Sequence, residues 1–95
     1  MKCDVREDIK AEICALAKKN NIEKVILFGS RARGDNGEKS DIDLAAFGGD
    51  VINFTFDVDE ETSTLLMFDV VNLNGRISDE LQKEIDRDGI VLYEV

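Results

Sequence analysis

The sequence predicts an α/β domain: a small mixed sheet of about four strands, flanked by helices. Three observations favour this class. Short apolar runs rich in β-forming residues end at glycines or at turn signals. Other segments carry apolar residues at helical spacing. The two patterns alternate along the chain, which is typical of helices layered on a sheet. With 95 residues, the chain is expected to form a single domain, residues 1–95.

The first helix is predicted at about residues 5–19. Asp4 and Glu7 have the spacing of a capping box, in which two side chains satisfy free backbone N–H groups. Asn20 and Asn21 end the helix, since asparagine tolerates the left-handed conformation that closes many helices.

The first strand, Lys24–Phe28, is predicted to be buried because it is short, apolar and rich in β-forming residues. Gly29 ends it. Ser30–Arg33 has room for one helical turn. Residues 34–40 form a loop by composition, since glycine, aspartate, asparagine and serine dominate there.

The second strand is predicted at residues 41–47. Side chains alternate between the two faces of a strand, so Asp41, Asp43 and Ala45 share one face. The two carboxylates are then about 7 Å apart along the strand, within reach of a pair of metal ions about 4 Å apart.

Residues 51–57 are ambiguous between a helix and an extended segment. The four-residue spacing of Ile52 and Phe56 favours a helix with these two side chains on one face. A polar connection at 59–63 then leads to a third strand at 64–73.

The last helix begins after Ser78, whose hydroxyl is a good N-cap. Leu81 and Ile85 are predicted to face inward, and Gly89 ends the helix. Residues 90–93 form a final strand.

The charge excludes several kinds of function. The chain has 21 acidic and 12 basic residues, a net charge of −9, and no histidine. Nucleic acid and anionic membranes are therefore repelled unless a metal ion or a local basic patch intervenes, whereas metal cations and basic proteins are attracted. Any acid–base chemistry depends on carboxylates, lysine or cysteine. If Cys3 and Cys14 both lie near or on the first helix, they are about three turns apart and cannot bridge. No signal peptide or membrane span is recognisable, so a reduced, cytoplasmic protein is expected.

The most informative pattern is Gly29-Ser30 followed, ten residues later, by Asp41-Ile42-Asp43. Glycine lets the backbone approach phosphate oxygens, and serine offers a hydroxyl and an N–H. Two further Asp-x-Asp pairs, at 57/59 and 86/88, are interpreted as solvated surface. The pair at 41/43 differs because it begins a strand after a Gly-Ser turn, although an exposed strand start is the simpler alternative.

Asp69 interrupts the apolar run of the third strand. A buried, unpaired carboxylate is costly, so it needs a partner, a metal ion or an edge position. On an edge strand it would discourage aggregation. On a strand beside Asp41 and Asp43 it would complete a three-carboxylate site suited to Mg²⁺.

Three cations lie close to the Gly-Ser turn: Arg31, Arg33 and Lys39. They are candidates for holding a triphosphate. The alternative is ordinary solvation, or weak pairing with Asp35 and Glu38. The Walker A pattern is absent, which disfavours a P-loop NTPase.

These motifs resemble the minimal nucleotidyltransferase (MNT) domain of the DNA polymerase β-like nucleotidyltransferase superfamily. The resemblance is carried by FGSRARG at 28–34, SDIDL at 40–44, FDVV at 68–71 and the closing segment 84–94. It covers nearly the whole chain and implies the nucleotidyltransferase fold.

The resemblance also implies residue roles. Gly29 and Ser30, with Arg31 and Arg33, would bind the nucleotide. Asp41, Asp43 and Asp69 would bind Mg²⁺, two ions being expected, and would be the catalytic residues; Asp69 would also orient or deprotonate the acceptor hydroxyl.

The implied reaction is transfer of a nucleoside monophosphate, AMP from ATP above other nucleotides, to a hydroxyl. Because larger relatives have an added acceptor domain and nothing follows Val95 in this sequence, the acceptor is expected on a partner. Related short proteins act as antitoxins of HEPN-domain ribonucleases, and some AMPylate a tyrosine of that partner. The alternatives are a non-catalytic antitoxin that acts by binding, and a small-molecule nucleotidyltransferase like those that modify aminoglycosides. A homo-oligomer is compatible with all three.

Overall fold

A computed structural model describes residues 5–95. Within that range lie four helices and four strands, none of the helices being long and apolar enough to cross a lipid bilayer. In chain order they are α1 (Glu7–Lys19), β1 (Lys24–Phe28), α2 (Ser30–Arg33), β2 (Ile42–Phe47), α3 (Val51–Glu61), β3 (Phe68–Asn72), α4 (Asp79–Asp88) and β4 (Ile90–Glu94).

The four strands form one mixed sheet in the order β3-β2-β1-β4. Strand β1 is antiparallel to both of its neighbours, whereas β2 and β3 are parallel. The parallel pair follows from the connection, because parallel neighbours need a crossover and α3 supplies it. The predicted fold class, a small mixed sheet flanked by helices, is confirmed.

The two faces of the sheet are covered unequally. Helices α1 and α3 pack on one face, where Ile13, Leu44 and Phe54 are fully buried. On the other face, Ile85 of α4 packs against Phe28 and Ala45. Because one helix alone packs there among the described residues, part of this second face stays open, and Asp43 lies on it with Ala45.

Helix α1 agrees with the sequence prediction at its end and differs at its start. Asn21 has a φ of 58°, the left-handed conformation predicted for the close of this helix. The helix begins at Glu7 and not at residue 5, after Arg6 in an extended conformation. Asp4, the other half of the predicted capping box, lies outside the described residues.

Helix α3 confirms the helical prediction for this segment, and its buried face is not the face that carries Ile52 and Phe56. Phe54 and Val58 are fully buried, whereas Ile52 and Phe56 are 68% and 64% exposed. A four-residue spacing identifies one face of a helix without saying which way that face points. The helix also extends to Glu61, through part of the expected polar connection.

Two matched substitutions on α3 test this assignment. Phe54→Leu removes buried volume, and we expect it to lower the free energy of unfolding by about 1–2 kcal/mol. Phe56→Leu changes an exposed side chain and should leave stability within about 0.5 kcal/mol. Urea unfolding of the two variants measures both values. Equal losses would contradict the assignment of the inward face.

Strand β3 is half as long as predicted. Residues 64–67 are irregular, because the Leu66 N–H bonds to the Thr64 hydroxyl (3.1 Å) and closes a local turn. Leu65 is fully exposed and Met67 is 66% exposed. The ladder with β2 begins where the Ile42 N–H bonds to the Met67 carbonyl (2.9 Å).

Cys14 is a free thiol on α1. Its Sγ–H donates to the Leu92 carbonyl (3.3 Å), and burial raises its pKa, which keeps it protonated and poorly reactive. The other cysteine, Cys3, lies outside the described residues, so the expected absence of a bridge stays a prediction.

Candidate active site

The Gly-Ser turn joins β1 to α2. Gly29 has φ 76° and ψ −157°, a conformation that is essentially restricted to glycine. Its carbonyl accepts hydrogen bonds from the N–H groups of Ala32 and Arg33, both at 3.1 Å, which closes the helical turn. Within residues 5–95 the N–H and hydroxyl of Ser30 have no hydrogen-bond partner, so both can bind an anion.

Asp43 fills the space that a side chain at position 29 would need. A Cβ built on Gly29 would lie 2.4 Å from Oδ2 of Asp43. The contact follows from strand pairing, because Phe28 of β1 pairs with Asp43 of β2. The absence of a side chain at Gly29 therefore brings the turn and this carboxylate into direct contact.

Asp69 lies beside Asp43 in the parallel register of β2 and β3. Strand β3 is also at the edge of the sheet, and Asp69 is exposed. Asp69 therefore lies both on an edge strand and beside Asp43, the two locations considered from the sequence. Asp41 directly precedes β2 and is exposed as well. The structure brings the three aspartates to one region beside Gly29, which makes this face of the sheet a candidate site.

Burial and neighbouring negative charge raise the pKa of Asp43. Its burial contributes most, followed by repulsion from Asp69, Asp41 and Glu84, while Arg33 acts in the opposite direction. Glu84 of α4 was not selected from the sequence. The sequence did contain one signal for Glu84, because it directly precedes Ile85, which was predicted to face inward.

A divalent cation fits this region by donor chemistry and by charge. The three aspartates offer only carboxylate oxygens, the donors that Mg²⁺ prefers. A cation would also offset the repulsion that raises the pKa of Asp43. Among residues 5–95, however, no three acidic or cysteine side chains are close enough to chelate one ion together, so the aspartates would have to turn towards it.

The side chain of Arg31 lies on the backbone of the loop and is only 6% exposed. Its guanidinium donates to the carbonyls of Ser40 (2.9 Å) and Glu38 (3.1 Å). The structure therefore gives Arg31 a positioning role, since it ties the loop before Asp41 to the Gly-Ser turn. Its role in nucleotide binding stays a prediction.

Arg33 is held by two carboxylates. Its guanidinium is 3.1 Å from Asp35, the pairing considered from the sequence, and 3.0 Å from Asp88. Asp88 was expected on a solvated surface, but its side chain is only 8% exposed because Arg87 and Arg33 cover it. Hydrogen bonds from these two arginines, Arg87 first, lower the pKa of Asp88 to about 2. The third cation near the turn, Lys39, is exposed.

The lowered pKa of Asp88 predicts how stability depends on pH. The ionised carboxylate stabilises the fold fully above its usual pKa of 3.8, and this contribution is lost as pH falls through about 2. We expect Asp88→Asn to unfold at lower urea than the wild type at pH 6, with the gap closing towards pH 2.

The matched control for this prediction is Asp86→Asn, because Asp86 is exposed and two residues away on the same helix. It should unfold like the wild type at each pH. A gap between Asp88→Asn and the wild type that is unchanged from pH 6 to pH 2 would contradict the prediction.

Comparisons with known proteins identify relatives of this chain. The family model for polymerase β nucleotidyltransferases matches residues 11–95. A Methanocaldococcus jannaschii protein, named as a candidate protein adenylyltransferase, is 36% identical over 96 residues, which cover 90% of this chain and 94% of that protein.

Solved structures share the fold. A toxin–antitoxin crystal structure with AMP-PNP has a TM-score of 0.74 at 22% identity, covering 90% of this chain and 73% of the other. A variant of the toxin–antitoxin MntA–HpeT has a TM-score of 0.73 at 20% identity, with the same coverage. A Shewanella oneidensis structure has 0.70 at 16% identity, covering 96% and 74%. The family match and the adenylyltransferase relative together confirm the resemblance, and this chain belongs to the polymerase β-type nucleotidyltransferases.

Proposed function

We propose that this protein transfers AMP from ATP to a hydroxyl of a partner protein, as the antitoxin of a HEPN-domain toxin. The observation that carries the proposal is the pairing of Asp43 with Asp69 beside the Gly29-Ser30 turn. The adenylyltransferase name of the Methanocaldococcus jannaschii relative supports the choice of AMP and of a protein acceptor. The structural match to a toxin–antitoxin with AMP-PNP supports ATP and the toxin partner.

The proposed reaction gives a role to each group of the site. The triphosphate binds at the Gly-Ser turn, where the N–H and hydroxyl of Ser30 contact phosphate oxygens. The acceptor oxygen forms a bond to the α-phosphorus, and the bond from that phosphorus to the bridging oxygen of pyrophosphate breaks. The electron pair of the broken bond leaves with pyrophosphate, and Asp69 takes the proton of the acceptor hydroxyl.

Asp41, Asp43 and Asp69 would hold the metal ions of this reaction, for which we propose two Mg²⁺. Bound there, the ions supply charge stabilisation for the attacking and leaving oxygens. Asp43 is ionised when it binds a cation, so its raised pKa makes proton and metal compete for the same carboxylate. The net charge of −9 favours a basic acceptor protein over direct contact with nucleic acid. The reaction and its ATP are proposed to be cytoplasmic.

A labelling experiment tests the proposal. The purified protein is incubated with ATP labelled at the α-phosphate, Mg²⁺ and the protein encoded beside its own gene. We expect label on the partner with the wild type and none with Asp43→Asn. Asp59→Asn, which alters an exposed aspartate of another Asp-x-Asp pair, should label as the wild type does.

Two outcomes would overturn the proposal. The first is a partner that is neutralised in cells by Asp43→Asn as well as by the wild type, without label, which identifies a binding-only antitoxin. The second is labelling of an aminoglycoside in place of any protein.

A further inference from the structure

We propose that the acceptor protein presents its hydroxyl on an extended, basic segment that pairs as an added strand with the free edge of β3. This inference rests on the proposed function and describes how the acceptor would reach the candidate active site. Addition of a strand to a sheet edge is a common way of recognising extended peptides, because main-chain hydrogen bonds give affinity and side chains give selectivity.

The free edge is defined by the hydrogen-bond pattern of β3. Among residues 5–95, strand β3 pairs with β2 alone. The bond from Ile42 to the Met67 carbonyl and the bond from Leu73 to the Ala46 carbonyl, both 2.9 Å, fix the phase of the ladder. In a parallel ladder alternate residues face the same neighbour. The residues that turn their N–H and C=O groups away from the sheet are therefore Phe68, Val70 and Asn72, and these N–H groups have no partner within residues 5–95.

The catalytic carboxylate lies on the same strand. Asp69 is exposed and sits between Phe68 and Val70, on the sheet face that carries Asp43. A strand paired with β3 would lie about 4.8 Å beyond it. A hydroxyl side chain of that strand, opposite Asp69 and on the same face, would therefore lie next to the carboxylate that is proposed to take its proton.

Charge favours β3 over the other edge of the sheet, and exposed apolar side chains lie beside β3. Asp41, Asp69 and Glu84 lie close enough to Asp43 to repel its charge, so a basic segment is attracted to this acidic region. Leu65 and Met67, both strongly exposed, precede β3 and offer apolar contacts to such a segment. The opposite edge is β4, whose Glu94 already pairs with Lys24 of β1 (3.4 Å).

Amide hydrogen exchange, read by NMR, tests this geometry. The probe is a synthetic peptide spanning the residue that receives the label in the transfer experiment, added in unmodified form with AMP-PNP and Mg²⁺. We expect exchange at Phe68, Val70 and Asn72 to slow at least about tenfold. Asp69 and Val71, already bonded to β2, should change less, and the amides of β4 should not change.

A variant adds a second measurement. Val70→Pro removes an outward N–H without removing a bond to β2, and proline is tolerated at sheet edges for that reason. We expect it to slow transfer to the partner about tenfold, the effect of roughly one lost hydrogen bond, while AMP-PNP affinity is retained. Val70→Ala keeps the N–H and should transfer faster than Val70→Pro.

The outcomes separate this inference from the proposed function. No label on any protein with the wild type would overturn the proposed function. Label on the partner, without the alternating protection of the three edge amides, would overturn strand addition alone. Docking through a helix, or capture of a nucleic acid, gives that second result. If Val70→Pro does not fold, the exchange pattern of the wild type decides the question.

Discussion

Asp43→Asn is expected to abolish nucleotidyl transfer and, at the same time, to stabilise the fold. The activity should fall by about 10³-fold, because Asp43 is proposed to bind metal and its loss would remove several kcal/mol of charge stabilisation from the transition state. Stability should rise because burial and three neighbouring carboxylates disfavour the charge of Asp43, which raises its pKa. A carboxylate whose pKa is higher in the folded than in the unfolded state destabilises the fold at neutral pH, and asparagine removes that charge.

Opposite changes in activity and stability distinguish an active-site residue from a structural one. Transfer of labelled AMP measures the first, and the urea midpoint at pH 7 without divalent metal measures the second. Asp59→Asn is the matched control, since Asp59 is exposed on α3, and it should change neither quantity. An Asp43→Asn variant that loses activity and stability together would show that Asp43 supports the fold.

The order and type of the elements were predictable because each one is marked locally, although the bounds of β3 and α3 were not. Strand β1 and helix α2 have the predicted bounds, since Gly29 separates a short apolar run from a single helical turn. The mixed sheet followed from strands alternating with helices. The grouping of the three aspartates was also predictable, because Asp43 and Asp69 lie on two apolar strands and Asp41 directly precedes the first of them.

What the sequence could not supply depends on packing between distant segments. The face of α3 that points inward is decided by α1 and the sheet, so the spacing of Ile52 and Phe56 was ambiguous. Asp88 became a nearly buried ion-pair partner only because β4 pairs with β1 and brings the end of α4 beside Arg33. The hydrogen bonds of Arg31 to the loop likewise required the folded loop.

Gly29 shows a further limit of sequence reasoning. From the sequence, glycine at this position was interpreted as allowing close approach of phosphate, which remains a prediction. The structure adds two reasons internal to the protein. The Asp43 carboxylate occupies the space that a side chain at position 29 would need, and the backbone conformation is one that glycine alone adopts readily. A motif residue can thus be required both for the fold and for ligand binding, and a structure is needed to distinguish the two roles.

Gly29→Ala is therefore expected to damage both stability and activity. The strained backbone should lower the free energy of unfolding by about 1–3 kcal/mol. The new methyl group, 2.4 Å from Oδ2 of Asp43, must also displace that carboxylate, so transfer of AMP should fall by about 10²-fold or more. The matched control is Gly75→Ala, because nothing lies within 4 Å of a Cβ at that position, and it should be nearly neutral.

A double variant separates the two causes at Gly29. In the background of Asp43→Ala the methyl group no longer meets a carboxylate, so the clash is removed while the backbone strain remains. The loss of stability caused by Gly29→Ala should then be smaller than in the wild type, and the difference is the coupling energy between the two positions. Urea unfolding of the four proteins in the cycle measures it. If the loss is the same in both backgrounds, glycine is required at position 29 for its backbone conformation alone, and contact with Asp43 contributes nothing.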